Sequence, residues 1–279
     1  SDAQLSPRLG ILFRTSENSE LRLSAGRYHQ SQAIQTLQIE DGITHFWRAQ
    51  RADQLIAGFH YRTPANMALR IEGFLKSMSR VRPRFENLHD PLGIMPELQA
   101  DRVRLDPTGA RARGVEISAD RSSGAWTWWA SYTWSKVTDD IEGRAEPRSW
   151  DQRHALQAGV GREGEQWSFS AAASVHSGWP TTNLELFELG FDDDGETIYE
   201  AVPGPRNAAR LPSFASVDIR LSRRFDVRRG SLLAFIELSN TLNRRNVCCI
   251  DWDIDDGGLE SSEDYWMPLL PAIGILWEF

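Results

Sequence analysis

The residues with the most evident chemistry cluster in a few places. Asp251-x-Asp253-x-Asp255-Asp256-Gly257 sets carboxylates at alternate positions, as a calcium-binding loop does. It departs from that pattern at the sixth position, Asp256 in place of Gly, and at the twelfth, Ser262 in place of Glu. Two readings follow: a loop-bound Ca2+ on Asp251, Asp253 and Asp255, or a solvated acidic loop. Just before it stand Cys248 and Cys249, which in an oxidising compartment can close a vicinal disulfide, stay as thiols or bridge elsewhere. Arg244 and Arg245 precede them and suit phosphate or carboxylate, or simply solvate a rim. Trp150, Asp151, Arg153 and Trp179 offer aromatic faces and charge to a small-molecule ligand. For Asp151, Arg153 and His154 the simpler role is to fix the register where a strand begins. No catalytic set emerges. The His residues form no HExxH pair, and there is neither a phosphate-cradling glycine loop nor a nucleophile elbow, so an enzyme is not expected.

Charge is distributed unevenly around these groups. The chain has 279 residues and a net charge of −8. Segments 181–200 and 250–264 each hold seven acids and no Lys or Arg, and the rest of the chain is mildly basic. Almost every base is Arg; Lys76 and Lys136 are the exceptions. No concentrated basic motif points to nucleic acid. An aromatic content of 10% argues against disorder, and no run of about 18 apolar residues would form a membrane helix.

The elements that must position these groups are strands. Apolar and polar residues alternate over 214–225, where Ala215, Val217, Ile219 and Leu221 oppose Ser216, Asp218, Arg220 and Ser222. The same period recurs over 66–78, 125–136, 165–176 and the closing residues to Phe279. Further strands are expected near 8–14, 20–28, 51–62, 110–121, 153–162 and 230–241, about 11 in all. Arg70, Glu72, Lys76, Glu116, Asp120, Asp218, Arg220 and Glu237 fall on the polar faces.

The connections alternate between short turns and long loops. That pattern, with an apolar outer face and a charged inner one, predicts an all-β antiparallel transmembrane β-barrel, its short turns periplasmic and its long loops extracellular. Trp126, Trp134, Trp167, Phe225, Trp277 and Phe279 near strand ends fit interfacial girdles. The competing readings are a complete small outer-membrane barrel such as an autotransporter translocator, and a soluble sugar-binding β-protein with one solvated sheet face.

Several ordered stretches carry a family resemblance. They include Gly26-Arg27-Tyr28-His29-Gln30, Leu37-Gln38-Ile39-Glu40-Asp41-Gly42, Ala112-Arg113-Gly114-Val115-Glu116 and Trp128-Trp129-Ala130-Ser131-Tyr132-Thr133-Trp134-Ser135. Pro147-Arg148-Ser149-Trp150-Asp151-Gln152-Arg153-His154 and Ser177-Gly178-Trp179-Pro180-Thr181 follow, then Arg210-Leu211-Pro212-Ser213-Phe214 and Glu237-Leu238-Ser239-Asn240-Thr241-Leu242-Asn243. In this order they resemble the C-terminal half of the barrel of TonB-dependent outer-membrane receptors. The final Ile275-Leu276-Trp277-Glu278-Phe279 looks like the signal such barrels present to their insertion machinery.

The resemblance implies a 22-strand barrel in the Gram-negative outer membrane with an N-terminal plug inside. It also implies uptake of a ferric siderophore, corrinoid or carbohydrate with energy from the TonB complex. Residues 1–279 then read as a partial barrel without its plug, not transport-competent alone. Its expected partners are membrane lipid and lipopolysaccharide, the missing N-terminal barrel half and plug, TonB through that plug, and a small-molecule ligand. No cofactor beyond the loop Ca2+ is expected.

Overall fold

The computed structural model describes residues 4–89, 95–99, 101–191, 195, 197–255 and 258–279. β1 (Arg8–Ser16) and β2 (Ser19–Gln30) form a hairpin, as do β3 (Gln50–Arg62) and β4 (Met67–Ser79). A small loop hairpin, β5 (Arg84–Asn87) and β6 (Arg102–Leu105), precedes the longest wall pair, β7 (Gly109–Ser123) and β8 (Trp126–Ile141). The short β9 (Arg144–Pro147) folds back on β8, followed by β10 (His154–Glu163) and β11 (Trp167–His176). The next loop carries β12 (Pro180–Thr181), β13 (Leu184–Phe191), β14 (Thr197–Pro203) and β15 (Ala209–Arg210). β16 (Phe214–Asp226) and β17 (Ser231–Ser239) return to the wall. A last loop hairpin, β18 (Val247–Asp255) and β19 (Gly258–Tyr265), leads to β20 (Leu270–Glu278).

The wall is one antiparallel meander in the order β1-β2-β3-β4-β7-β8-β10-β11-β16-β17-β20, with β9 attached to β8. These eleven path strands are the eleven expected from alternation. Within the described residues β1 and β20 pair on one side only. Tight turns fall between β1 and β2, β3 and β4, β7 and β8, β10 and β11, and β16 and β17, and the long connections leave from the opposite end. Three of these turns need special backbone, and Gly124 at φ 59° serves the one between β7 and β8. Asn66 adopts φ 58° beyond Thr63, and Gly230 adopts φ 91° where an added Cβ would sit 1.8 Å from the Glu278 carbonyl.

Register separates the two faces around the whole wall. One row runs Phe13, Leu21, Phe59, Ile71, Ile117, Tyr132, Leu156, Val175, Ala215 from strand to strand. The adjacent row of the opposite face runs Arg14, Glu20, His60, Arg70, Ser118, Ser131, Gln157, Ser174, Ser216. Most residues of the first row are exposed, including Phe13 and Ile71. A sheet that shows its apolar face and turns its charges inward matches hydrocarbon outside and a polar lumen inside. Among the described residues no helix is long and apolar enough to cross a membrane.

Inward charges are paired along the wall. Arg70 meets Asp120 at 2.9 Å, His60 meets Glu72 at 3.2 Å and Arg220 meets Glu237 at 3.2 Å. At the turn end the outward aromatics carry cations: Arg162 lies over Trp126, and Arg223 over both Trp167 and Phe225. An amphipathic ring with a charged neighbour suits a membrane boundary.

Three expectations need adjustment. β8 runs past the predicted 125–136 to Ile141, because its ladder with β7 continues through Val137, Thr138, Asp139 and Asp140, whereas β7 exceeds the predicted 110–121 only at its ends. A glycine soon after a long loop suits a bend at the start of a strand, but Gly114 lies within β7. It packs beneath Phe74, where a Cβ would come within 2.7 Å of the ring and 2.4 Å of the Trp134 carbonyl. The loops carry regular hairpins that the sequence reading left unassigned.

Candidate functional site

The long connections fold against one another at the loop end of the wall. Their centre is a chain of ion pairs begun by Asp139, which is fully buried near the end of β8. Arg148 from the next loop donates to it at 2.8 Å, and Arg84 of β5 donates at 2.5 Å. Arg84 also holds Glu86 at 2.5 Å, and Glu86 accepts from Arg206 at 2.7 Å and from Ser149 at 2.9 Å. Burial pushes the Glu86 carboxyl up, but the guanidinium groups of Arg84 and Arg206 outweigh it, so its pKa ends below the usual carboxylate value.

Neutral contacts extend this weld. Thr182, fully buried, accepts from the Asn207 amide at 3.0 Å, and its carbonyl lies 2.9 Å from Nδ1 of His89. Asn207 donates to the Pro147 carbonyl at 2.8 Å. Gln38 exchanges two hydrogen bonds with the backbone of Phe85, acting as a one-residue strand beside β5. Arg102 makes a two-pronged pair with Asp41 and reaches Asn87 at 2.8 Å. Four loops thereby share one polar network.

Aromatic rings lie beside it. His176 of β11 and Phe214 of β16 stack with centroids 4.7 Å apart, and Trp179 stacks on His176 at 5.5 Å. Trp150 meets Trp179 edge-on at 4.8 Å, and Trp266 approaches Trp179 at 6.2 Å. His176 and Phe214 continue the inward row of Glu72, Glu116, Thr133 and Ala155, so the cluster rises from the lumenal face. Trp150 is 52% exposed and gives the cluster an open aromatic face. Such a face can stack a planar ring or a sugar, and it sits beside fixed charges.

The sequence candidates separate into three groups. Trp150 and Trp179 come together in the aromatic cluster. Asp151 is fully buried and structural: it accepts from the Val137 amide at 2.6 Å, from Arg153 at 3.1 Å and from the Arg210 guanidinium. The Arg153 and His154 amides both donate to Ser177, which agrees with the register-fixing reading. Arg244 donates to the Ser213 carbonyl at 2.8 Å, and Arg245 lies over the Tyr265 ring.

Asp251 and Asp253 lie in β18 opposite Ser262 and Glu260. A strand sets alternate residues ~6.6–6.8 Å apart, a geometry unlike the tight wrap of a calcium loop. Asp256 lies outside the described residues. Cys248 lies at a register shift near the start of β18, and Cys249 just past it faces Asp264. Asn240 and Asn243 cap loop backbone: Asn240 reaches the Arg244 carbonyl at 3.0 Å, and the Leu269 amide reaches Asn243 at 3.1 Å. Sequence reasoning missed Glu86, Thr182, Asn207 and Asn246. Asn246 binds both backbone groups of Ala215 at 2.9 Å. Only its Asn type, good at mimicking a peptide group, gave a signal.

A meandering wall, apolar outside and charged inside, tight turns at one end and loops welded over the other: these define an outer-membrane-type transmembrane β-barrel. The model of the family described as TonB dependent receptor-like, beta-barrel matches residues 1–240, and the chain belongs to that family. Among solved structures, it is similar to the ferripyoverdine receptor of Pseudomonas aeruginosa bound to ferripyoverdine, with a TM-score of 0.61 and 12% identity. The match covers 100% of this chain and 33% of that one. The ferric citrate transporter FecA aligns with a TM-score of 0.58 and 15% identity over 97% of this chain and 38% of its own. The FrpB iron transporter from Neisseria meningitidis aligns with a TM-score of 0.54 and 15% identity over 98% of this chain and 38% of its own. The chain thus spans about a third of the solved structures it matches. No curated protein matches it in sequence.

Proposed function

We propose that this chain is barrel wall and outer vestibule of a receptor that takes up a scarce small ligand across the Gram-negative outer membrane, driven by the TonB complex through a plug. The observation that carries this reading is the aromatic cluster of Trp150, Trp179, His176 and Phe214, built on the lumenal face and bordered by welded loops. A rigid, partly apolar recess with fixed charges suits a bulky chelate better than a simple ion. Among ferric siderophores, corrinoids and carbohydrates, an iron chelate is the preferred ligand, in keeping with the three iron-related neighbours. On this reading further strands of the same receptor pair with β1 and β20, and the wall alone does not transport.

Whole-cell uptake tests this. Strains with and without the gene containing this chain are offered a 55Fe-loaded siderophore, radiolabelled cobalamin or a labelled maltodextrin. Iron uptake should require both the gene and TonB. Loss of cobalamin or maltodextrin uptake instead would replace the iron reading, and uptake indifferent to TonB would end the active-transport one. Trp150→Ala should weaken ligand binding about tenfold, the scale of a central aromatic contact.

A further inference from the structure

Tryptophan is divided unevenly between the two faces of the wall. Trp126, Trp128 and Trp134 of β8, Trp167 of β11 and Trp277 of β20 share the outward rows. Trp129 faces the lumen, in register with Asp120 on β7 and Gly159 on β10. Its indole covers Gly159 so closely that a Cβ there would come within 2.6 Å of Nε1 and 2.8 Å of Cε2. Phe74 over Gly114 and Phe235 over Gly274 are seated in the same way. Phe235 has a further cover, the Arg220 guanidinium 3.9 Å from its ring centre, and Phe74 is half-buried. Trp129 stays 42% exposed, and among the described residues its indole N–H has no hydrogen-bond partner.

The lumenal wall beside Trp129 differs in chemistry from its flanks. Charges stand on β4 and β7 to one side, where Arg70 holds Asp120 at 2.9 Å, and on β16 and β17 to the other, where Arg220 holds Glu237 at 3.2 Å. Between them, Gly159 and Gln157 of β10 face Ala172 and Ser174 of β11. One step further along this face, Ala155 meets His176, a member of the outer aromatic cluster. A strip without carboxylate or guanidinium therefore runs from the cluster to the level of Trp129, four residues of β11 or about 13 Å away. We propose that Trp129 is a second contact for the iron chelate, used in its passage along this strip rather than in its capture. The proposal rests on the reading of this wall as part of an iron-chelate receptor. The open indole face can stack a planar or apolar part of the chelate, and its N–H can donate to a ligand oxygen. A single ring seated on glycine holds weakly, which suits a station that must also release its load.

Cells carrying the complete receptor separate capture from passage. Capture is the equilibrium binding of the 55Fe-loaded siderophore whose uptake depends on this gene, measured in a strain without TonB. Passage is the maximal uptake rate of the same complex with TonB present. Trp129→Ala should leave the dissociation constant within about twofold and lower maximal uptake about threefold to tenfold, the scale of one aromatic contact. Trp129→Phe should restore most of the rate. Gly159→Ala, which unseats the ring, should slow uptake as Trp129→Ala does. Gly161→Ala on the same strand face, where the nearest atom to a Cβ is 3.8 Å away, should not. Heat-modifiable gel mobility reports folding; if Trp129→Ala does not fold, the two glycine variants carry the test. A parent that takes up no iron complex would end the receptor reading and this proposal with it. A normal maximal rate in folded Trp129→Ala overturns the second contact alone, and so does an equal loss of binding and uptake. Entry of a large antibiotic into the Trp129→Ala strain would overturn it as well, by assigning the ring to packing against the plug.

Discussion

Asp151 has no exposed surface, and its partners come from a wall strand and two loops. Asp151→Asn would leave Arg153 and Arg210 without their carboxylate, a loss of about 3–5 kcal/mol for a broken buried pair. Limited proteolysis of the loops should speed up markedly in that variant, and an unchanged rate would assign the clamp elsewhere. Gly114 makes a second prediction. Its Cβ would meet a backbone carbonyl that cannot swing away, so Gly114→Ala should cost about 1–3 kcal/mol in urea unfolding of the folded receptor. Trp150, Trp179 and Asp151 were legible because an aromatic or a charge beside a strand end is conspicuous. Glu86 was not, because its partner Arg206 lies 120 positions away and no local pattern joins them.

Hairpins in the loops show what alternation conceals. β18 alternates Ile250 and Trp252 with Asp251 and Asp253 in sequence, the same period as a wall strand, yet the density of acids reads first as a cation loop. The wall strands were plain because all but β1 and β20 have a neighbour on either side with matching faces; among the described residues β18 and β19 pair only with each other. Held together by ions, the loop elements should respond to acid. Glu86 has its pKa lowered in the folded chain, so the stability it contributes is complete above its unfolded value of about 4.3 and is lost as pH falls through the lower folded value. Protection of β5 from hydrogen exchange should therefore stay flat from neutral pH to about 5 and fall below about 4. Protection unchanged down to about pH 3 would show that the ion pairs of Glu86 do not hold β5.

For the molecule as a whole, parity is the governing rule. Gln157 and Ala158 are neighbours on β10, but Ala158 faces Ala130 and Ala173 on the lipid side while Gln157 faces Ser131 and Ser174 in the lumen. Ala158→Arg should destabilise the folded receptor by about 2–4 kcal/mol, and Gln157→Arg by much less. Folding titrations into lipid vesicles compare the two; equal losses would mean that the faces are assigned wrongly. Strand number and order were legible in the sequence because each wall strand repeats this two-residue code, whereas the lateral welding of the loops follows no period. The same code limits how such genes can change. One codon inserted into β7, such as between Val115 and Glu116, would turn every later side chain of that strand to the opposite face. The same codon inserted in the connection from 177 to 213 leaves every wall strand in frame, so tolerated insertions and deletions should accumulate at the loop end, and the wall should diverge by substitution alone.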